Sequence, residues 1–415
     1  MAFGDSEYDD QLRAAWHRFC DRLRDAGDLA FKDTSPANPL QRADAFRYLT
    51  QNLGQAFDLA LETKDTRFPA IHAFCGPSRK LGGDNADFVY LQAWIDGSSV
   101  YKITGHRGSA RFINFTVQGP RPEKDVYYGA DHPNLHEPFG DTPEANLTGA
   151  DLVTEWDGSF VLWVGGPERG PNWLPTTPGS RKLFLRQGFD DWSEESAQMR
   201  IERVDMDGPR PVPTPETVTT AMEWAGDFLT GAMAEWPDRE LEIGSLYGEP
   251  EPNVFPAARF EGEAEERDAR RGRVIVTMPW RLEPDEALVF EFAPDDGTFW
   301  MLTNMGAFWN SMDYLYRSVS WTPARAATDA DGVVRLVLAH EDPGVHNWID
   351  TQRFAEGYLT FRSIGARALP EVTTRLVPLD RLGDALPDDV RRVTPEERAV
   401  QLHQRFDAIR RRCRS

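Results

Sequence analysis

The chain has 415 residues, of which 40% are hydrophobic, and a net charge of −21 at pH 7. Its length is enough for two domains, and its charge repels phosphate backbones and anionic lipid, so nucleic acids and membranes are not expected as partners. No apolar run approaches the roughly 20 residues of a membrane-spanning helix. Because the first ten residues are acidic and the three cysteines are far apart, we expect a cytoplasmic protein without structural disulfides.

The N-terminal region, residues 1–80, is predicted to be helical. Apolar residues recur at spacings of three and four from Leu12 to Ala26, and again from Ala43 to Ala60. The serine, prolines and asparagine between these runs are typical of a turn. The sequence therefore predicts two amphipathic helices ahead of the first strands.

The pattern changes to an alternation of apolar and polar residues in 81–205, the predicted first β half. Short runs are separated by clusters of Gly, Pro, Asp and Asn, which is typical of a β-sandwich or barrel. Between two such runs, Asp96-Gly97 predicts a hairpin. A second β half with the same rhythm is predicted for 241–370.

Helices are also predicted between the β halves and at the end of the chain. Residues 206–240 form a proline-rich joint and a linking helix, with Thr214 as N-cap and Pro215 as the first helical residue. Residues 371–415 form a tail and a C-terminal helix, which begins with a capping box from Thr394 to Glu397.

An internal repeat relates the two β regions. Asp157-Gly158, Asn172-Trp173 and Thr176 recur in the same order, about 175 residues later, as Asp331-Gly332, Asn347-Trp348 and Thr351. The predicted fold is therefore α+β, mainly β with helical additions. It has two related antiparallel β-sandwich or jelly-roll-like halves, N-terminal helices, a linking helix and a C-terminal helix. Duplicated halves that pack together usually bind a ligand at the seam between them.

Three stretches resemble the bacterial family called domain of unknown function 1214. They run from Tyr101 to Gly108, from Asn172 to Gln187 and from Asp342 to Thr351. The resemblance covers roughly Asp84 to Arg367, and it implies a mainly β, jelly-roll-like architecture with helical additions. It implies no reaction, cofactor or catalytic residue. Relatives often have glycine-histidine where this chain has Arg353-Phe354, so no histidine role is carried over to that position.

The repeated Asn-Trp turns are the first candidate site. An asparagine can hold a turn by bonding to the backbone while a tryptophan anchors it, which is a folding role. In the alternative interpretation, Asn172, Trp173, Asn347 and Trp348 line the cleft and bind substrate. The sequence favours the folding role and is compatible with both.

The candidate proton carriers are Asp350, His346 and Asp313. His346 and Asp350 flank the second Asn-Trp turn, and histidine titrates near neutral pH. The first copy has Pro171 where the second has His346, so such chemistry would be asymmetric. A loop histidine in contact with water is the plainer interpretation.

Arginines and an aromatic stretch are the candidates for substrate binding. Arg107 and Arg317 could orient a substrate carboxylate, although pairing with one of the many acidic residues is the plainer role. Trp309 and Tyr314 alternate with polar side chains that include Asp313 and Arg317. An apolar wall with a few polar groups is the usual form of a small-molecule pocket.

No metal or other cofactor is expected. The closest histidine pair, His132 and His136, is flanked by Pro133 and Pro138, which favour a loop over a zinc-binding helix. No nucleotide-binding loop and no Gly-x-Ser-x-Gly nucleophile motif occurs.

The resulting hypothesis is a cytoplasmic protein that binds a small, mostly apolar molecule between two β halves. We expect a cofactor-free acid/base enzyme of the hydrolase, lyase or isomerase type. The alternative is a non-catalytic carbohydrate-binding or assembly module that stacks its ligand on tryptophan rings. The expected partner is a small-molecule ligand, and a homo-oligomer is left open.

Overall fold

The computed structural model describes residues 8–120, 141–236, 238, 251–256, 273–295, 297–365 and 370–413. Within these residues the chain forms 17 strands, arranged in four sheets, and five α-helices. This confirms the mainly β fold with helical additions. Among the described helices, none combines the length and the apolar character that crossing a membrane requires.

Three helices form one bundle: α1 (Asp9–Asp28), α2 (Pro39–Phe57) and α3 (Pro215–Glu235). A 3-10 turn, Leu29–Phe31, follows α1, and a π-helical turn, Asp58–Glu62, extends α2. The side chains of Asn38 and Thr214 cap α2 and α3, and a proline opens each helix, as the sequence predicts for α3. Their apolar faces bury Phe19, Tyr48 and Phe228. The linking helix therefore packs with the N-terminal helices.

The first β half is a sandwich of two sheets. Its strands are β1 (His72–Cys75), β2 (Phe88–Trp94), β3 (Tyr101–His106), β4 (Phe112–Pro120), β5 (Asp141–Thr148), β6 (Ser159–Val164), β7 (Trp173–Leu174), β8 (Lys182–Gly188) and β9 (Gln198–Arg203). One sheet has the order β1-β2-β8-β4-β5 and the other the order β7-β6-β3-β9. Phe115 and Leu185 of the first sheet share a fully buried core with Ile103 and Leu162 of the second.

The second β half is built in the same way. Its strands are β10 (Arg273–Arg281), β11 (Glu286–Phe292), β12 (Phe299–Met305), β13 (Ser320–Trp321), β14 (Val334–Ala339), β15 (Trp348–Asp350), β16 (Glu356–Ile364) and β17 (Val372–Pro378). The sheets have the orders β10-β16-β12-β13 and β15-β14-β11-β17. Leu302 and Phe361 of one sheet meet Leu288 and Leu336 of the other in the core.

The strand orders of the two halves correspond one to one. The order β2-β8-β4-β5 matches β10-β16-β12-β13, and β7-β6-β3-β9 matches β15-β14-β11-β17. A parallel pair, β6 with β7, recurs as β14 with β15. The internal repeat of the sequence is therefore a repeat of the fold, with β1 as an extra edge strand in the first half.

The C-terminal segment covers one face of the second half. After β17, a 3-10 turn, Leu379–Arg381, and the short helix α4 (Leu382–Ala385) lead to α5 (Pro395–Cys413). Leu382, Leu386 and Val390 pack on the outer side of the β15-β14-β11-β17 sheet, against Val337 and Trp348.

The predicted capping box begins α5. The N–H of Thr394 donates to the Glu397 carboxylate at 2.8 Å, and the N–H of Glu397 donates to the Thr394 hydroxyl at 3.2 Å. Two donors at the start of the helix are thereby satisfied by side chains.

The hairpin predicted at Asp96-Gly97 is wrong. β2 pairs with β1 and β8, whereas β3 pairs with β6 and β9 in the opposite sheet. The turn is a corner between the two sheets, where the N–H of Asp96 donates to the Tyr101 hydroxyl at 2.8 Å. In sequence, a polar turn between two alternating runs looks the same in a hairpin and in a corner between sheets. The alternation of apolar and polar residues alone could therefore not distinguish the two.

The predicted helical region, residues 1–80, also contains a strand. The helical turns end at Glu62, and β1 then pairs with β2 through His72 and Ala73. With only four residues, β1 is too short for its alternation to stand out from the preceding helical pattern.

The two halves meet through the outer faces of the β1-β2-β8-β4-β5 and β10-β16-β12-β13 sheets. The rings of Phe88 and Phe299 stack there with their centroids 6.4 Å apart, beside the buried Met301. Gly188 permits this contact, since a Cβ at that position would lie 2.8 Å from the Phe299 ring. Loops of both halves come together beside this seam.

Candidate functional site

The two Asn-Trp turns have equivalent surroundings. The Asn172 side chain accepts from the N–H of Val153 at 2.9 Å and donates to the carbonyls of Val153 and Val161 at 2.7 and 3.0 Å. The Asn347 side chain makes the same three bonds, to Ala327 twice and to Arg335 once, at 2.8 Å each. Both amide donors are used in each copy, so these side chains hold the backbone together.

The tryptophans beside these asparagines also bond to the backbone. Trp173 Nε1 donates to the carbonyl of Gly165 at 3.2 Å, and Trp348 Nε1 donates to that of Ala339 at 3.1 Å. Trp173 is half-buried, whereas Trp348 is buried beneath the C-terminal segment, with the Arg398 guanidinium 5.3 Å from its ring centre. The face of Trp173 is thus the more accessible of the two.

His346 is buried and uses both ring nitrogens within the protein. Nε2 lies 3.1 Å from the carbonyl of Arg325, and Nδ1 lies 2.8 Å from the side-chain amide of Gln401. These partners assign a neutral ring that donates through Nε2 and accepts through Nδ1. Burial lowers the pKa of His346. The ring is placed to fasten α5 to the second half.

Asp350 and Arg317 form an ion pair. Arg317 Nη1 donates to Asp350 Oδ2 at 2.8 Å, and the N–H of Gln352 donates to Oδ1 at 2.7 Å. The carboxylate is buried while half of the Arg317 side chain is exposed. Arg107 lies apart in the first half, where it donates to the carbonyl of Gly108 at 3.3 Å.

Asp313, Trp309 and Tyr314 share one loop, residues 306–317, between β12 and β13. Facing this loop are residues 79–87, between β1 and β2, and the helix α2. The loops interlock at Gly83, whose N–H donates to the carbonyl of Trp309 at 2.8 Å. A Cβ at Gly83 would lie 2.5 Å from the Trp309 ring. Three of the predicted residues therefore line a junction of both β halves and the helical layer.

A buried lysine lies at the centre of this junction. Lys80 is 2% exposed, and its Nζ donates to Ser311 Oγ at 2.7 Å. The same Nζ is 3.7 Å from Asp84 Oδ2 and 3.6 Å from the centre of the Tyr314 ring. The Ser311 hydroxyl in turn donates to Asp84 Oδ2, and the N–H of Ser311 donates to Oδ1 at 2.9 Å. We call Lys80, Asp84 and Ser311 the Lys80 triad.

Burial controls the electrostatics of the Lys80 triad. Desolvation lowers the pKa of Lys80 to about 8, although the charges of Asp84 and then Asp313 act to raise it. Burial also raises the pKa of Tyr314 well above its ordinary value, with the negative charge of Asp84 adding to the effect. A lysine with a pKa near 8 can gain and lose a proton at neutral to mildly basic pH.

A rim of polar groups lies between the Lys80 triad and α2. Asn310 Nδ2 donates to Asp44 Oδ2 on α2 at 3.1 Å, and burial raises the pKa of Asp44. Arg47 on the same helix lies 4.0 Å from Asp313, with 47% of its side chain exposed against 21% for Asp313. Asn310 is buried, Asp44 and Asp313 are half-buried and Arg47 is exposed.

The 306–317 loop also has an unusual backbone. Trp309 has a φ of 47°, in the left-handed region that costs a residue with a side chain about 1 kcal/mol or more. Its ring packs against Trp236 of the helical layer with the centroids 4.9 Å apart. Strained residues held by close packing are often found at functional sites.

The sequence did not single out Lys80, Asp84 or Ser311. Lys80 and Asp84 lie four residues apart in a glycine-rich connection, and Ser311 matches no nucleophile motif. The one signal in the sequence was the pair of opposite charges, Lys80 and Asp84, on the two sides of Gly82 and Gly83. Both glycines have positive φ in the structure. A polar pair in a turn is usually solvated, so the fold was needed to reveal its burial.

Two small cavities lie within the described part of the chain. One of about 10 Å³ lies beneath α5, lined by Asp87, Tyr314, Arg412 and Cys413 among others, and another of about 10 Å³ adjoins Trp300. Each has room for a single water molecule. Among the described residues, no group of three or more His, Cys, Asp or Glu side chains could hold a metal ion. His132 and His136 lie outside the described residues.

This chain is similar to one protein family over part of its sequence and to solved structures over most of its length. Residues 281–368 match the family described as Protein of unknown function (DUF1214), and no curated protein matches. A crystal structure of an uncharacterized protein from Burkholderia cenocepacia is 28% identical, covering 89% of this chain and 99% of its own, with a TM-score of 0.75. The VPA0106 protein from Vibrio parahaemolyticus is 13% identical, covering 84% and 100%, with a TM-score of 0.43.

The family match includes one of the two loops that form the junction. Residues 281–368 span β11 to β16 and thus contain the 306–317 loop with Ser311. The resemblance to the DUF1214 family that the sequence motifs indicate is therefore confirmed over this stretch.

Proposed function

We propose that this chain is an acid/base enzyme that binds a small, mostly apolar molecule at the junction of its two β halves, with Lys80 as the main proton carrier. The observation that carries this proposal is the fully buried Lys80 ammonium, 2.7 Å from the Ser311 hydroxyl and with a pKa lowered to about 8. Titratable groups with strongly shifted pKa values concentrate at functional sites. The Lys80 triad takes the role for which His346 and Asp350 were candidates.

The plainer interpretation of the Lys80 triad is a buried ion pair that ties two loops together. Such a pair often contributes little net stability, because desolvation offsets the Coulomb attraction. A purely structural junction could use apolar side chains at the same place. The strained Trp309 and the polar rim of Asp44, Asn310 and Asp313 support the catalytic interpretation, since a tie between loops requires neither.

The proposed binding surface is the aromatic side of the junction. Trp309 and Tyr314 flank Ser311 in the sequence of the loop and supply its rings, and Asp313 adds a polar group that is partly exposed. The closed arrangement leaves no room for a ligand beside Ser311, which is 1% exposed. Binding therefore requires the 306–317 loop to move away from α2. We place this activity in the cytoplasm and assign it no cofactor.

A parallel comparison of three proteins tests this proposal. Wild type, Lys80→Met and Lys182→Met would be screened by thermal shift against a panel of small aromatic acids, esters and amides. Lys182 is the matched control, a fully buried lysine in the first half, 2.9 Å from the equally buried Asp141. We expect some members to raise the melting temperature of wild type and Lys182→Met but not of Lys80→Met. If no member distinguishes wild type from Lys80→Met, the proposal is wrong.

One surface observation supports the alternative of a non-catalytic, tryptophan-stacking module. Trp163 and Trp173 are neighbours in register on the outer face of the β7-β6-β3-β9 sheet, where Val161 is 40% exposed. Arg169 lies 4.7 Å from the Trp163 ring centre. In the second half, Leu382, Leu386 and Val390 cover the corresponding face of the β15-β14-β11-β17 sheet.

This alternative predicts binding to polysaccharides. Affinity electrophoresis in gels that contain soluble glucans would measure it, with Trp163→Ala as the test variant. Trp16→Ala is the control, because Trp16 is 49% exposed on α1, away from this sheet. If glucan retards wild type and Trp16→Ala but not Trp163→Ala, the binding module is favoured. If wild type migrates equally with and without glucan, the module is excluded for those glucans.

A further inference from the structure

Ser311 occupies the centre of the Lys80 triad with its hydroxyl held on two sides. Lys80 Nζ donates to its oxygen, and the hydroxyl donates to Asp84, whose other oxygen receives the Ser311 N–H. These contacts hold the serine side chain in one orientation. A serine beside a base that a third group orients is the arrangement of an activated nucleophile.

We propose that Ser311 is the nucleophile of this site, that Lys80 is its general base and that the substrates are carboxylic esters with an apolar acyl group. This inference rests on the proposed function, since it needs a Lys80 that exchanges protons. Asp84 positions both side chains. Trp309 and Tyr314 form the apolar wall against which the acyl group packs.

The reaction balances without any further reactant except water. In the structure the Ser311 hydroxyl donates to Asp84. When Lys80 is neutral, the hydroxyl turns to donate to Lys80 Nζ, and Lys80 takes this proton as Oγ forms a bond to the acyl carbon. The bond from that carbon to the alcohol oxygen then breaks, and the alcohol leaves with the proton from Lys80. Water next attacks the acyl carbon and gives a proton to Lys80, and Ser311 Oγ leaves and is reprotonated. The net change converts an ester and water into an acid and an alcohol.

The protonation state of Lys80 sets the pH range of this reaction. Desolvation lowers its pKa to about 8, so about half of the amine is neutral at pH 8 and about a tenth at pH 7. The groups whose charges act on the Lys80 pKa are Asp84, Asp313 and Cys75, which favour the ammonium, and Arg47, which opposes it. Asp44, Tyr314 and Cys413 also interact with Lys80. The rate should therefore rise between pH 7 and pH 8 and level off above that range.

Access to Ser311 depends on the 306–317 loop. Several contacts hold this loop against the helical layer, among them the hydrogen bond from Asn310 to Asp44 at 3.1 Å, the packing of Phe308 on Tyr48 and the packing of Trp309 on Trp236. Shortening Trp309 to alanine removes the contacts of the ring with Trp236 and Gly83, while the backbone hydrogen bond from Gly83 remains. Trp309→Ala should therefore open the loop more often and expose Ser311 more.

The first half provides a matched control serine. Ser180 is 2% exposed, and its hydroxyl donates to the carboxylate of Glu144 while its oxygen accepts from the N–H of Thr177 at 2.8 Å. Ser180 thus shares burial and a carboxylate partner with Ser311, whereas a lysine amine bonds to the hydroxyl of Ser311. A difference in reactivity between them isolates the contribution of the amine.

The experiment is covalent labelling with a fluorophosphonate probe, in which a bond from serine oxygen to phosphorus forms and fluoride leaves. Intact-protein and peptide mass spectrometry would follow wild type, Ser311→Ala, Ser180→Ala, Lys80→Met and Trp309→Ala. We expect one probe per chain, on Ser311, at a rate that rises about 15-fold from pH 6.5 to pH 8 and by no more than about twofold above pH 8. Lys80→Met should slow it by about 100-fold or more, Ser180→Ala should leave it unchanged and Trp309→Ala should speed it up.

Two results would overturn the inference: no label on Ser311 in wild type and Trp309→Ala at pH 9, or the same labelling rate in Lys80→Met as in wild type. The proposed function fails separately. If Ser311 is not labelled while the Lys80-dependent thermal shifts are present, the nucleophile assignment alone is wrong. If Lys80→Met keeps the thermal shifts of wild type, both are wrong.

Discussion

Replacing Lys80 by methionine should destabilise the junction strongly, because it leaves Asp84 as a buried charge without its cation. Both side chains of the pair are at most 2% exposed. Breaking such a pair on one side costs about 3–5 kcal/mol, whereas replacing both partners with neutral groups costs much less. We therefore expect about 3–5 kcal/mol for Lys80→Met and about 2 kcal/mol or less for the double variant Lys80→Met/Asp84→Asn.

Hydrogen exchange measures this effect where it arises. The Ser311 amide donates to Asp84 Oδ1, so its protection reports the free energy of local opening in the 306–317 loop. Lys182→Met should leave this protection unchanged, because it disrupts a pair in the first half. Additive effects of Lys80→Met and Asp84→Asn, within about 0.5 kcal/mol, would refute the reasoning, because they would mean that the two groups are not coupled.

The same pair predicts how stability depends on pH. The pKa of Lys80 in the folded protein, about 8, lies below its ordinary value of 10.5. Between these values the unfolded chain binds more protons, so the Lys80 contribution to stability increases as pH rises from 8 to 10.5. Relative to the double variant, wild type should gain about 3 kcal/mol across this range. A constant difference in unfolding free energy would contradict the assignment.

Three further predictions concern residues outside the junction. Asn172→Ala and Asn347→Ala should each cost about 2–4 kcal/mol, from three lost backbone bonds of roughly 1 kcal/mol each, and markedly unequal costs in urea unfolding would contradict the equivalence of the two turns. Because burial lowers the pKa of His346, its contribution to folding stability should fall as pH drops below about 6.5. The melting temperature of His346→Asn should therefore decrease less than that of wild type between pH 7 and pH 5. Arg405, buried on α5 and bonded to the carbonyl of Ser320 at 2.7 Å, should be needed to hold α5, so Arg405→Met should speed proteolysis of α5.

The fold was largely predictable because its signals are local. The caps at Thr214 and Thr394 and the alternating runs depend on a few neighbouring residues. The repeated Asn-Trp turns added long-range information, since the same side-chain bonds recur in both halves. The corner at Asp96-Gly97 was not predictable, because the choice of strand partner depends on sheets formed by distant residues.

The candidate site was predictable only on one side. The aromatic stretch of 299–317 indicated Trp309, Asp313 and Tyr314, which do lie at the junction. Lys80 and Asp84 come from a loop 231 and 227 residues away from Ser311 in sequence. No periodicity connects residues so far apart, and their burial arises only when the two halves and α2 pack together.

The most direct test of the account is an NMR titration of Lys80 with carbon-13-labelled lysine, using Lys80→Met to assign the signal. We predict a midpoint near pH 8, because desolvation lowers the pKa of this amine despite the neighbouring Asp84. A midpoint at or above the ordinary value of 10.5 would contradict the central claim. The amine would then stay protonated throughout the neutral range and could not act as a base.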